Sequence, residues 1–289
     1  MLRLAVATDA ETLRRIGPPL ADRGIEAEYV PTRERTVALE ESSEERLGSF
    51  DVGFVFPPRV MEGGVADALL DIPWVNDRVD ILRSRNKAET LARLQAAGIP
   101  TPRSVYVSNP VDRAELVDIY ERFEPPVVVK PNSATRGIGV AKAADLDSFL
   151  GICDYLELVH DFPATGDRSF LVQEYLPDAR DYRAMVVGGE YAGAVERRLS
   201  DDVGQTGQWK HNVHRGAHAV GVELPPERQS LVERTANALE VEWLGVDLLL
   251  ADDRVVVSET NARPTVDAET KYEPGFYDRL EKIIRDTTP

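Results

Sequence analysis

The sequence predicts two architectures in succession, a small α/β unit followed by a larger α+β unit. Three observations predict this. Residues 1–83 alternate short apolar runs with amphipathic stretches, the pattern of strands joined by helices into a partly parallel sheet. From Asp181 onward the pattern becomes a β meander, with the turn Gly188-Gly189 between two strand-like runs. Near the C-terminus, Leu244–Leu250 and Val255–Asn261 are apolar runs joined by the short polar stretch Ala251–Arg254, which reads as a β-hairpin.

The elements follow in order. Leu2–Thr8 is a strand, and Glu11–Arg23 a helix closed by Gly24. Ile25–Val30, Phe50–Phe56 and Trp74–Asn76 are further strands, and the charged stretch Thr32–Ser49 carries a surface helix. Pro57-Pro58 forms a loop at the carboxyl end of a strand, the edge where open α/β sheets present ligand-facing loops. A helix is expected over Arg83–Ala97, stopped by Gly98 and Pro100. Val105–Val107, Pro126–Pro131 and Leu171–Leu176 are strands, and Asp112–Phe123 a helix. Asp181–Val187 and Glu190–Leu199 form the meander, and Leu231–Leu239 and Gly275–Arg285 are the last helices.

Composition narrows the class. The 34 basic and 50 acidic residues give a net charge of −16, which argues against nucleic acid or an anionic membrane as a partner. Only six of the bases are Lys and 28 are Arg, a balance that fits a surface kept hydrated in high salt, or an acidic cytosolic protein from a GC-rich genome. The single cysteine, Cys153, excludes an intramolecular disulfide and reads as a small buried hydrophobe. No apolar stretch approaches the ~18 residues of a membrane span. Met1–Ala7 reads as a strand rather than an export signal, so a soluble cytoplasmic protein is expected.

The hairpin carries the first candidate site. Glu259 and Asn261 are two apart and share a strand face. Asp247 joins that face if paired residue numbers sum to 506, as with a three-residue turn at Asp252-Asp253-Arg254. A sum of 505 would place it opposite Ser258 and turn it away. In the first register three oxygen donors converge, as a hard divalent cation requires; in the second the hairpin has only a polar, wet face.

Lys130 ends an apolar strand and precedes Asn132–Gly139, whose Ser133, Gly137 and Gly139 can bring backbone N–H groups close to a phosphate. Glu174, in the apolar run Val172–Leu176, needs a hydrogen-bonding partner, which an amino group, a ribose hydroxyl or an arginine would each supply. Asp181 and Arg183 share one strand face. Lys210, Asn212, His214 and Arg215 gather donors in a loop of an otherwise acidic chain, which suits an anionic ligand or pairing with surface acids.

Taken together, Asn86-Lys87, Lys130-Pro131 with its glycine loop, Gln173–Pro177, Asp181–Arg183, Glu196–Arg198, Asn212–Gly216, Gly245–Asp247 and Glu259–Asn261 resemble the ATP-grasp ligases, and most closely the RimK-type glutamate ligases. The resemblance runs from about residue 76 to 267. It implies an ATP-grasp fold, two α+β subdomains clasping ATP, after a small α/β domain at 1–83; the subdomains would be 84–172 with the flap and 173–289 with the metal site. It implies that Lys87 and Lys130 hold phosphates under the flap Ser133–Gly139, that Glu174 and Tyr175 frame the base, and that Asp181 lines the ribose or cleft wall. Lys210, His211 and Asn212 would face phosphate and substrate, Arg197 the acylphosphate, and Arg215 a substrate carboxylate. Asp247, Glu259 and Asn261 would hold Mg²⁺ or Mn²⁺, as two ions.

The implied activity is formation of an amide from a carboxylate and an amino acid, glutamate, in a homodimer or homotetramer. A D-alanine-type dipeptide ligase and an inactive ATP-binding module are the alternatives. After Asn261 the chain runs Ala262-Arg263-Pro264-Thr265, without the family's Ser-Pro-Gly turn, so the acceptor is not fixed by the resemblance.

Overall fold

The computed structural model describes residues 1–7, 10–34, 36–37, 39, 47–134, 137–160, 167–198, 218–266 and 271–288. The first unit is a parallel sheet in the order β2-β1-β3-β4, built from β1 (Leu2–Val6), β2 (Ile25–Tyr29), β3 (Val52–Phe54) and β4 (Trp74–Val75). Parallel neighbours need crossovers. Two helices of this unit are α1 (Ala10–Ala21) and α2 (Val60–Leu70). The second was not expected from the sequence, because Gly63 and Gly64 weaken helix propensity. Packing requires the first of them: a Cβ on Gly63 would lie 2.8 Å from Pro57 and 2.9 Å from Phe56. Of the charged stretch 32–49, where a helix was expected, residues 35, 38 and 40–46 lie outside the described residues.

The helix expected over Arg83–Ala97 is two helices, α3 (Arg78–Arg85) and α4 (Lys87–Ala96). Asn86 is the reason for the break. Its backbone is extended, and its Oδ1 accepts the Glu89 N–H at 3.1 Å, capping the second helix. The break sets Lys87 at the first position of α4.

An antiparallel four-stranded sheet follows, in the order β5-β8-β6-β7: β5 (Ser104–Ser108), β6 (Val127–Pro131), β7 (Ala141–Ala143) and β8 (Ser169–Glu174). Its apolar face packs on α5 (Arg113–Tyr120) and α6 (Leu146–His160), with Phe149, Phe170 and Val129 at the centre. Cys153 is buried there, and burial pushes its thiol up to about 12, as suits an inert core residue. Strand β8 crosses the boundary expected at 172/173, and α4 packs against the next sheet rather than this one.

The third sheet is antiparallel, ordered β11-β10-β9-β12-β13: β9 (Arg180–Val187), β10 (Glu190–Arg198), β11 (His218–Val222), β12 (Trp243–Ala251) and β13 (Arg254–Asn261). Strand alternation divides β9 cleanly. Tyr182, Ala184 and Val186 face α7 (Pro226–Leu239) and α4 in one core. Met185 and Val187 face the opposite side, where Trp243, α8 (Phe276–Thr287) and the first sheet form another core. Phe54 meets Trp243 edge-on with ring centroids 5.2 Å apart. On that same side, beyond Met185, the face turns from apolar to charged. Among the described residues no helix is long and apolar enough to cross a membrane.

Candidate active site

The hairpin turn differs from the expectation, but the register at the site does not. Ala251 pairs with Arg254, so the turn has two residues, Asp252-Asp253, and the pairing begins at the sum 505. A bulge between Asp247 and Leu248 then absorbs Ser258, whose hydroxyl donates to the Asp247 carbonyl at 3.2 Å. Beyond the bulge Asp247 pairs with Glu259 and Gly245 with Asn261, restoring the sum 506. A single inserted residue therefore keeps Asp247, Glu259 and Asn261 on one face.

The neighbouring strands extend that face. Arg183 pairs with Asp247, and Asp181 with Arg197. Arg183 donates from Nε and Nη2 to the two oxygens of Asp247, at 2.7 Å each. Arg197 donates to Asp181 Oδ1 from Nε at 3.0 Å and from Nη2 at 2.5 Å, and Nη2 also lies 3.0 Å from Asp247 Oδ2. Glu196 faces the other way, held by Arg180 and Arg198. Burial opposes ionisation of Asp247, but Arg183 and Arg197 overcome it and draw its carboxyl down to about 2. At Asp181 burial prevails, with the charge of Asp247 adding to it, and the carboxyl lies above the usual range despite Arg197.

Two lysines complete the cluster. Lys87 donates to the Ala134 carbonyl, in the loop between β6 and β7, and lies 3.3 Å from Glu259 Oε1. Lys130, at the end of β6, is buried. Burial lowers its ammonium to about 8, with Glu259 opposing that shift, Lys87 adding to it and Asp247 opposing it.

Asn132 organises this corner, although nothing specific in the sequence singled it out. Its Oδ1 accepts the Ala88 N–H at 2.8 Å, and its Nδ2 donates to Asn86 Oδ1 at 2.9 Å, tying the start of the loop to the start of α4. Gly137 and Gly139 have φ of 67° and 73°, and a Cβ on Gly139 would approach Pro131 Cγ to 2.7 Å. Ser133 is exposed on the same loop. Arg183 was also missed as a functional residue; the signal was its two-residue spacing from Asp181.

Glu174 finds its partner in arginine. Arg254 reaches it at 2.6 and 3.1 Å, and the backbone N–H of Arg103 at 2.7 Å. Burial would raise the Glu174 carboxyl, but these hydrogen bonds hold it below its usual range. This contact joins the second sheet to the third. Tyr175, just beyond, has the Lys142 ammonium 4.6 Å above its ring. Lys210, His211, Asn212, His214 and Arg215 lie outside the described residues.

The donor set fits a hard divalent cation: two carboxylates and one amide oxygen on a single face. Asn261 Oδ1 accepts the Arg263 N–H at 2.9 Å, which orients the amide. Among the described residues no group of three or more His, Cys, Asp or Glu, here or elsewhere, could hold a metal ion without such an amide.

Residues 84–275 match the model of the RimK-like ATP-grasp domain. This chain belongs to the RimK-like ATP-grasp family. Among its RimK-like relatives, a probable alpha-L-glutamate ligase 1 of Shewanella denitrificans is 31% identical over 205 residues, covering 68% of this chain and 62% of the relative. A ribosomal protein bS6–L-glutamate ligase of Escherichia coli O139:H28 is 31% identical over 206 residues, with the same coverage of 68% and 62%. This chain thus spans less than two thirds of the length of these relatives. The likeness to solved ATP-grasp proteins extends over nearly the whole chain. A RimK domain ATP-grasp protein of Sphaerobacter thermophilus superposes with a TM-score of 0.68 over 99% of both chains, at 22% identity. The D-alanine–D-alanine ligase of Bacillus anthracis, complexed with ATP, gives 0.66 over 99% of this chain and 97% of that one, at 17% identity.

Proposed function

We propose that this chain is an ATP-dependent carboxylate–amine ligase that adds an amino acid, glutamate, to a small-molecule or protein acceptor. The observation that carries the reading is the lysine pair beside the carboxylates. Lys130 is buried, Lys87 adds to the cost of its charge, and Glu259 and Asp247 lower that cost. A polyphosphate would supply acceptors for both ammonium groups. The names of the RimK-like relatives support glutamate as the amino acid and a protein such as bS6 as one class of acceptor.

In this reading Lys87 and Lys130 bind the phosphates, and the loop carrying Ser133, Gly137 and Gly139 covers them. Tyr175 and the backbone near Glu174 frame the base, while the Glu174 side chain stays with Arg254 and Arg103. Asp181 forms the cleft wall through Arg197. Asp247, Glu259 and Asn261 would hold Mg²⁺ or Mn²⁺, as two ions, which would supply neutralisation of phosphate charge. A carboxylate oxygen of the acid attacks the γ-phosphorus and ADP departs. The amine nitrogen then attacks the acyl carbon, phosphate leaves with the former carboxylate oxygen, and the amine gives up a proton. Such chemistry rests on positioning and charge compensation. Arg197 stabilises the acylphosphate, Arg215 anchors a substrate carboxylate, and Lys210, His211 and Asn212 line the substrate side. The net charge of −16 with scarce Lys supports a protein that works in high salt; the family likeness supports a cytoplasmic homodimer or homotetramer.

The test is phosphate release and product mass with ATP, L-glutamate and a panel of acids, with Asp247→Asn and Glu259→Gln as controls. The expected product is heavier by one or more glutamyl units and is missing in both variants. D-Alanyl-D-alanine as the only product would establish the dipeptide-ligase alternative, and tight ATP binding without turnover would establish an inactive module.

A further inference from the structure

The residue that follows Asn261 is held at both of its backbone polar groups by side chains from outside the hairpin. The Ala262 N–H donates to Ser84 Oγ at 2.8 Å. The Ala262 carbonyl accepts from Asn76 Nδ2 at 2.7 Å, and the same amide nitrogen donates to the Trp243 carbonyl at 2.5 Å. Asn76 Oδ1 also accepts the Trp243 N–H at 3.3 Å. Ser84 Oγ lies 3.4 Å from Thr260 Oγ1. Asn76, Ser84, Thr260 and Ala262 are all buried.

The location gives this network its consequence. One end of the β12–β13 hairpin is closed by the Asp252-Asp253 turn; the other, beyond Trp243 and Asn261, has no covalent closure. Asn76 bridges that open end, since one side chain bonds Trp243 at the start of β12 and Ala262 just past β13. Its left-handed backbone, φ 53°, suits asparagine better than most residues and follows directly on β4. The side chain of Asn261 is oriented by the Arg263 N–H, so its direction depends on the peptide that Asn76 and Ser84 fix. Arg263 in turn donates to the carbonyls of Phe56 and Ala7, at the carboxyl ends of β3 and β1. Asn76 lies before the first residue of the family match, at 84.

We propose that Asn76 and Ser84 are positioning residues that fix the Asn261 amide, and that through Asn76 the first α/β unit sets the affinity of the site for a nucleotide-bound divalent cation. This rests on the proposed function only in taking Asn261 as a ligand. A buried amide making three bonds also stabilises the fold, so the test separates metal affinity from stability.

Mn²⁺ is titrated by electron paramagnetic resonance into the whole protein saturated with β,γ-imido-ATP. Ser84→Ala and Asn76→Asp are compared with Thr235→Ala, whose buried hydroxyl donates to the Leu231 carbonyl within α7. The Asp substitution keeps the size of Asn76 and removes both N–H donors. Displaced orienting groups of this kind weaken metal binding about 10-fold or more. That loss is expected in Ser84→Ala and Asn76→Asp and not in Thr235→Ala. In the metal-free protein, hydrogen exchange at the Ala262 amide should accelerate in Ser84→Ala alone of the two alanine variants. Wild-type Mn²⁺ affinity in both Ser84→Ala and Asn76→Asp, or a loss matched by Thr235→Ala, overturns the proposal. A wild-type protein that takes up no Mn²⁺ with the nucleotide overturns the ligase reading itself.

Discussion

Arg183 clasps Asp247 with two parallel hydrogen bonds of 2.7 Å, and the two residues face each other across neighbouring strands β9 and β12. In this ion pair Asp247 is only 4% exposed. A buried carboxylate that loses a partner keeps its desolvation cost. Arg183→Leu is therefore expected to destabilise the protein by about 3 kcal/mol in urea denaturation, since Arg197 remains as a second partner. A loss below about 1 kcal/mol would mean that the pair is no stronger than one on the surface.

Asp247 also predicts a dependence on pH. Its carboxyl in the fold lies at about 2, below the ordinary value near 3.9. The stability that it contributes is fully present above the unfolded value and is lost as pH falls through the folded one. The stability difference between wild type and Asp247→Asn should be constant above about pH 4 and should shrink between about 4 and 2. A difference that stays constant to pH 2 contradicts the depressed carboxyl.

Lys130 gives the opposite signature, in binding. Its ammonium in the free protein lies at about 8, so it carries charge below that pH and loses it above. ATP affinity measured by calorimetry should fall about tenfold from pH 7 to pH 9. Lys130→Met should bind weakly at both values and show no such slope. A wild-type affinity that is flat across this range would remove Lys130 from the phosphate site.

Glu174 tests which part of its strand meets the nucleotide. Its carboxylate is engaged by Arg254 and Arg103, so Glu174→Gln should cost about 1 kcal/mol of stability and leave the KM for ATP within threefold of wild type. A KM raised tenfold or more would place the side chain itself against the base or ribose.

The parts of this site written in local sequence could be read in advance, and those created by pairing could not. The shared face of Glu259 and Asn261 follows from strand alternation alone, as does that of Asp181 and Arg183. The position of Asp247 could not be decided, because two-residue and three-residue turns are equally compatible with Asp252-Asp253-Arg254. The bulge at Ser258 settles it, and nothing local announces that bulge. The break at Asn86 was hidden in a continuous helical pattern; its Oδ1 caps the second helix and also accepts from Asn132 Nδ2, a partner that the fold brings from 46 residues away. Arg183 appeared as one more charge until β9 and β12 were set side by side. The helix α6 was passed over for a similar reason. Its apolar residues match a core that exists only once the second sheet is formed.

The central claim, activation of a carboxylate as an acylphosphate, is tested most directly by following an oxygen atom. The protein is incubated with ATP, Mg²⁺, L-glutamate and a glutamate-terminated peptide labelled with ¹⁸O in its terminal carboxylate. The account predicts that each amide formed delivers one ¹⁸O atom into the released inorganic phosphate. Amide formation with unlabelled phosphate, or with AMP and pyrophosphate in place of ADP, would contradict it.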